Sequence, residues 1–163
     1  MLVLGIDPGT ATTGYGLVRE DETGRLIAVD FGVVRTPAQD SMPQRLLQIY
    51  QQMQEIISLH RPESGAVEKL FFQSNVRTAM SVGQARGVAL LALAEAQIPV
   101  AEYTPLEIKQ AVVGYGSADK QQIQYMIQAL LGLDDIPQPD DAADALAVAI
   151  CHLHSFQMRN LTE

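Results

Sequence analysis

A chain of 163 residues, 47% of them hydrophobic, can bury the core of one domain, and no Ser/Gly tract, charge block, low-complexity run or repeat divides it. No apolar run approaches the roughly twenty residues of a membrane span, and the opening MLVLGIDPGT has neither a basic start nor a small-residue cleavage site, so the chain reads as cytoplasmic and free of membranes. A net charge of −8 excludes a broadly basic nucleic-acid-binding surface, so any such contact must rest on local Lys and Arg.

Leu2–Asp7 is an apolar run ended by Pro8-Gly9, a buried strand. Tyr15–Val18 and Leu26–Val34, parted by a polar stretch with Thr23-Gly24, read as a hairpin that completes three antiparallel strands. Pro43 opens a helix to about Leu59, whose apolar residues Leu46, Leu47, Ile49, Tyr50, Met53, Ile56 and Ile57 have the spacing of a one-sided amphipathic helix. Gly65–Leu70 is a short strand expected beside the first. A long helix follows from about Asn75 to Ala96, then a strand over Val100–Tyr103. Thr104-Pro105-Leu106-Glu107 is a capping box with Pro in the first turn, and the helix it starts should end near Gly114. Ser117 is expected to cap the next helix, to about Leu131 before Gly132. After Pro137 and Pro139, Asp140 or Asp141 should cap a last helix ending near Phe156. Residues 1–156 then form one domain and 157–163 a short C-terminal tail. The lone cysteine, Cys151, sits in the apolar run ALAVAICHL and reads as core, in keeping with a reducing compartment.

The order β-β-β-α-β-α-β-α-α-α describes an α/β domain, a five-stranded mixed sheet flanked by helices, which is the RNase H-like order. Order alone does not assign function. Four acids stand where solvation does not explain them: Asp7 ends the first strand, Glu68 ends GAVEKL, and Asp141 and Asp144 are one turn apart on a helix that is apolar beyond them. Singly, Asp7 could be a turn residue and Asp141 an N-cap. Together they suggest clustered carboxylates, which repel unless protonated or neutralised by cations. Oxygen-only donors favour Mg²⁺ or Mn²⁺ over zinc. Two such ions about 4 Å apart can serve both oxygens of an in-line phosphodiester displacement.

The blocks GIDPGTATTGYG, AVEKLFFQSN, GQARGVA, EIKQAVVGYGSADKQQIQYMI and DDAADALAVAI, in this order from residue 2 to about 154, closely resemble those of the bacterial RuvC Holliday junction resolvases. The resemblance implies a divalent-metal-dependent endonuclease with Asp7, Glu68, Asp141 and Asp144 as catalytic, metal-binding acids and two Mg²⁺ per subunit, replaceable by Mn²⁺. It implies a homodimer that cuts a four-way DNA junction symmetrically in recombination and repair, alongside the branch-migration proteins RuvA and RuvB. It also implies that Lys109 and Lys120 contact DNA and that Phe71 stacks at the junction centre, core packing being the alternative for Phe71. The family's basic residue after that aromatic is replaced by the region of Ser74, where Arg77 could substitute.

Lys69, Arg77, Arg86, Lys109 and Lys120 are five of the eleven basic residues, which allows a locally positive groove on an acidic body. His152 and His154, two apart, read as ordinary helix residues, and His60 as a helix end. An actin-like ATPase or sugar kinase also opens with strand-Asp-x-Gly-Thr, as Asp7-Pro8-Gly9-Thr10 does here, but needs a second copy of the domain. A non-catalytic adaptor would not need four acids. In the helix from Asn75, Gly83 and Gly87, like Ala85 and Ala89, are four apart, so it reads either as a dimer interface or as a helix buried in its own domain.

Overall fold

The computed structural model describes residues 1–70 and 76–162, without the side chains of residues 159, 160 and 162. Strands β1 (Leu2–Asp7), β2 (Thr12–Glu20) and β3 (Leu26–Arg35) precede α1 (Met42–His60), β4 (Ser64–Glu68), α2 (Val76–Glu95) and β5 (Val100–Tyr103). Helices α3 (Pro105–Val113), α4 (Lys120–Leu131) and α5 (Asp140–Thr162) complete the chain. The sheet order is β3-β2-β1-β4-β5. β1–β2 and β2–β3 pair antiparallel, while β1–β4 and β4–β5 pair parallel. This is the expected α/β architecture, and no helix among the described residues is long and apolar enough to cross a membrane.

Strand parity divides the core. Leu4, Ile6 and Leu17 pack on one face of the sheet with Ile49, Met53, Ala85 and Leu93 of α1 and α2. Val3, Val18 and Ala66 pack on the other with α3, α4 and α5. Since side chains alternate along a strand, Asp7 shares the face of Val3 and Glu68 that of Ala66, so both acids lie on the α5 side. α5 is sandwiched between that face and α3 with α4, and from Ala142 to Leu153 every residue but Asp144 is buried. Glycines permit this fit. A Cβ on Gly5 would lie 2.0 Å from the Ala145 carbonyl oxygen, and one on Gly14 would lie 2.0 Å from that of Asp141. Glycine inside a strand commonly marks such close backbone approach.

Local signals differ from expectation at three places. Asp119, not Ser117, caps α4: it accepts from Gln122 N at 2.8 Å, and Gln122 Oε1 accepts from Asp119 N at 2.9 Å. That reciprocal box needs a Gln or Glu three residues on, and Ser117 has Lys120 there. Asp140 and Asp141 both lie within the first turn of α5 and neither is its cap. α5 also runs past Phe156 to Thr162, because Gln157 and Met158 are good helix formers and no Gly or Pro stops it. Its final turns are solvated, with Met158 and Leu161 exposed.

Candidate active site

Three elements converge at the carboxyl end of β1. Parallel pairing of Ile6 with Val67 brings Asp7 beside Glu68. Antiparallel pairing sets Asp7 opposite Gly14, the glycine against which the Asp141 backbone rests. The first turns of α5 therefore lie over the end of β1, and Asp144 follows Asp141 by three residues on the same side of the helix.

The electrostatics follow from this proximity. Asp7 is pushed from 3.8 to about 8 by burial first, then by the charges of Asp144 and Asp141, a hydrogen bond with Asp141, and the Glu68 charge. Glu68 is raised by burial and by Asp144, with Lys109 opposing. Asp144 is raised mainly by burial, against the lowering pull of Lys120. Groups shifted this way hold protons more tightly folded than unfolded. Their stabilising effect is full below the ordinary carboxylate range and is lost as pH rises, for Asp7 towards about 8. Asp21, Glu107 and Asp140 are shifted down and oppose this only at lower pH. In EDTA the melting temperature should thus fall between about pH 4 and 8 more steeply than that of Asp7→Asn. Parallel curves for the two proteins would contradict the assignment.

A cleft of about 260 Å³ opens beside the acids. Glu68 and Asp144 line it with Lys109 and Lys120, and its wall is apolar, from Ile108, Ile123 and Val148. Lys120 Nζ lies 3.0 Å from Asp140 Oδ2 and 4.0 Å from Asp144 Oδ2. Its ammonium pKa is raised, above all by the hydrogen bond to Asp140. Among the described residues no three carboxylate, imidazole or thiol groups stand close enough to ligate one ion as their side chains lie. The fit to a divalent cation rests instead on donor chemistry: hard carboxylate oxygens, half-buried and mutually repelling, for which a cation replaces the proton.

The structure thus brings together Asp7, Glu68, Asp141 and Asp144, with Lys109 and Lys120 at the rim. Arg77 is exposed in the first turn of α2, the helix packed against the opposite face of the sheet. Arg86 is ion-paired with Glu102, which subtracts it from the basic groove. Phe71 and Ser74 lie outside the described residues. Three residues have roles here that the sequence does not assign them. Gly14 seats Asp141, signalled only by a glycine inside a strand. Asp140, read as a cap, contacts Lys120. His152 is a buried polar tie: its Nδ1 meets the Tyr103 hydroxyl at 2.7 Å and its Nε2 meets Ser64 Oγ at 2.9 Å. It joins α5 to the two strands at the β4–β5 edge, and nothing in its sequence surroundings signals that.

Against known proteins, residues 3–152 match a family model described as crossover junction endodeoxyribonuclease RuvC. Proteins of that name from Syntrophomonas wolfei and Desulfitobacterium hafniense are 58% and 60% identical, spanning 100% and 98% of this chain and 94% and 96% of their own lengths. The Thermus thermophilus RuvC structure superposes with a TM-score of 0.91 at 37% identity, over 98% of this chain and 97% of that one. T. thermophilus RuvC in complex with Holliday junction substrate superposes at 0.89 and 35% identity, over 97% and 96%. The yeast mitochondrial Holliday junction resolvase Ydc2, at 0.71 and 14% identity, covering 97% of this chain and 80% of its own, shares the fold.

Proposed function

The chain belongs to the RuvC family of crossover junction endodeoxyribonucleases, and we propose that Asp7, Glu68, Asp141 and Asp144 are its catalytic, metal-binding acids. It is a metal-dependent nuclease that resolves Holliday junctions in recombination and repair. The observation that carries the residue assignment is the convergence of these acids at the end of β1, beside a cleft that Glu68 and Asp144 line, where burial first and then the charges of Asp144, Asp141 and Glu68 raise Asp7 to about 8.

Oxygen-only donors suit Mg²⁺, two per subunit, with Mn²⁺ as a substitute. When bound, such ions supply charge neutralisation and Lewis-acid activation for phosphodiester hydrolysis. The rest belongs to the protein. Asp7 and Glu68 are fixed by adjacent strands, and Asp141 and Asp144 by a helix buried on nearly all sides, so the donor set is held rigidly. Ile108, Ile123 and Val148 keep one wall of the cleft dry, which strengthens every charge interaction beside it. Lys109 and Lys120 meet the phosphate backbone at the rim. Asp119 already accepts from an amide at the start of α4, so the Lys120 ammonium carries that contact more than free backbone N–H groups do. Phe71 stacking and an Arg77 contact to DNA are part of the same reading. Lys120→Ala should slow single-turnover cleavage at least about tenfold, equivalent to roughly 1.4 kcal/mol of transition-state stabilisation. A rate within about twofold of wild type would remove Lys120 from the site.

Paired cuts call for a two-fold dimer, and α2 supports one. Ala85, Ala89, Ala92 and Leu93 bury its inner side, while Val76, Met80 and Leu91 are 70%, 61% and 59% exposed with Gly87 among them. A Cβ at Gly87 meets nothing within 4 Å, so Gly87→Glu fits the single chain. It should fold as wild type by circular dichroism, sediment as a monomer and make only uncoupled nicks. An intact dimer would place the interface elsewhere. RuvA and RuvB are the expected partners and the cytoplasm the expected compartment, where the buried Cys151 thiol, pushed up to about 11, stays reduced. The overall test is incubation of the protein with Mg²⁺ and a synthetic four-way junction, beside a linear duplex. Paired cuts in the junction alone are expected, and equal cutting of both substrates would overturn junction selectivity.

A further inference from the structure

Asp140 stands outside the four-acid set, yet α4 engages both of its carboxylate oxygens. Oδ2 lies 3.0 Å from the Lys120 ammonium, and Oδ1 accepts a 3.1 Å hydrogen bond from Gln124 Nε2. Lys120 and Gln124 are four residues apart, one turn along the same side of α4. Lys120 opens that helix, where the positive dipole end does not favour an ammonium, and a free lysine samples many rotamers. Asp140 offsets both effects from the first turn of α5, where a negative charge is itself favoured. The Gln124 hydrogen bond fixes the plane of the carboxylate, so the lysine is met from one direction. The opposite neighbour of the ammonium is Asp144 Oδ2 at 4.0 Å, so Lys120 hangs between a cleft acid and one outside it.

We propose that Asp140 is a positioning residue that, with Gln124, holds the Lys120 ammonium beside Asp144 at the rim of the cleft. The inference rests on the reading of Lys120 as a phosphate-contacting group. Lys120 and Asp140 are 57% and 56% exposed, so their pairing contributes little to stability, and its consequence is the placement of the charge. A plain surplus acid would behave oppositely, because a negative charge next to phosphate only weakens DNA binding.

Wild type, Asp140→Asn, Lys120→Ala and the double variant separate the two cases, with single-turnover cleavage of a synthetic four-way junction in Mg²⁺ and junction affinity in EDTA as readouts. Asp140→Asn is expected to slow cleavage about fivefold, the rate equivalent of an exposed ion pair near the upper end of its usual strength. Affinity should be unchanged or tighter, and the same substitution should be silent in the Lys120→Ala background. Asp140→Glu, which keeps the carboxylate, should recover most of the rate. Cleavage by Asp140→Asn at or above the wild-type rate would overturn the proposal, as would an equal loss without Lys120. Wild type that leaves the junction uncut would instead overturn the nuclease reading, and a fully active Lys120→Ala that of Lys120.

Discussion

Asp7→Asn and Asp144→Asn are each expected to lower cleavage by about a thousandfold or more, because a carboxylate that holds a catalytic cation supplies several kcal/mol of charge stabilisation. Both side chains keep their shape in the variants, so the fold should persist. Stability in EDTA should rise. Asp7 is raised to about 8 by burial and by Asp144, Asp141 and Glu68, and a neutral amide removes that cost. Junction binding should hold or tighten, since each variant removes a negative charge near phosphate. The combination of dead, tighter-binding and more stable is diagnostic. A purely structural carboxylate would lose stability on substitution, and a mere surface acid would leave cleavage alone. Retention of cleavage within about tenfold of wild type in both variants would rule this site out.

How much of this site was legible depends on how local each signal is. Asp7 ends an apolar strand, Glu68 ends another, and Asp141 and Asp144 share a helix side, so each acid declares itself within a few residues. Parallel pairing of β1 with β4 then does the rest, and the element order already implies it. Asp140 was opaque for the opposite reason. At a helix start the general rule is capping, and its partners Lys120 and Gln124 lie on another helix, across a turn broken by prolines. Helix α5 outruns its apolar pattern because burial sets the pattern, whereas the helix itself ends only where a breaker or a cap intervenes. The five-residue basic set thinned for a similar reason: Arg86 is spent on Glu102 of β5, a pairing visible only once α2 and the sheet are packed.

Gly14→Ala carries the other large expectation, and it tests the seating of α5 without touching an acid. The new Cβ would lie 2.0 Å from the Asp141 carbonyl oxygen and 2.4 Å from its carbonyl carbon, far inside any van der Waals contact. Backbone atoms cannot rotate away, so the first turn of α5 must lift from β2. Asp141 moves with it, and the effect reaches Asp144 one turn on. A displacement of about 1 Å at a preorganised site can cost on the order of a hundredfold in rate, while overpacking of this kind typically costs about 1–3 kcal/mol of stability. Gly5→Ala makes the comparison. Its Cβ would strike Ala145 O at 2.0 Å and Ala149 N at 2.8 Å, in the middle of the helix rather than at its free end. The core there cannot yield by lifting one turn, so Gly5→Ala should lose more stability. Gly14→Ala should lose proportionally more activity. Urea unfolding and single-turnover cleavage of the same two proteins decide the matter. A folded Gly14→Ala that cuts junctions at the wild-type rate would mean that α5 does not need this contact to place its acids.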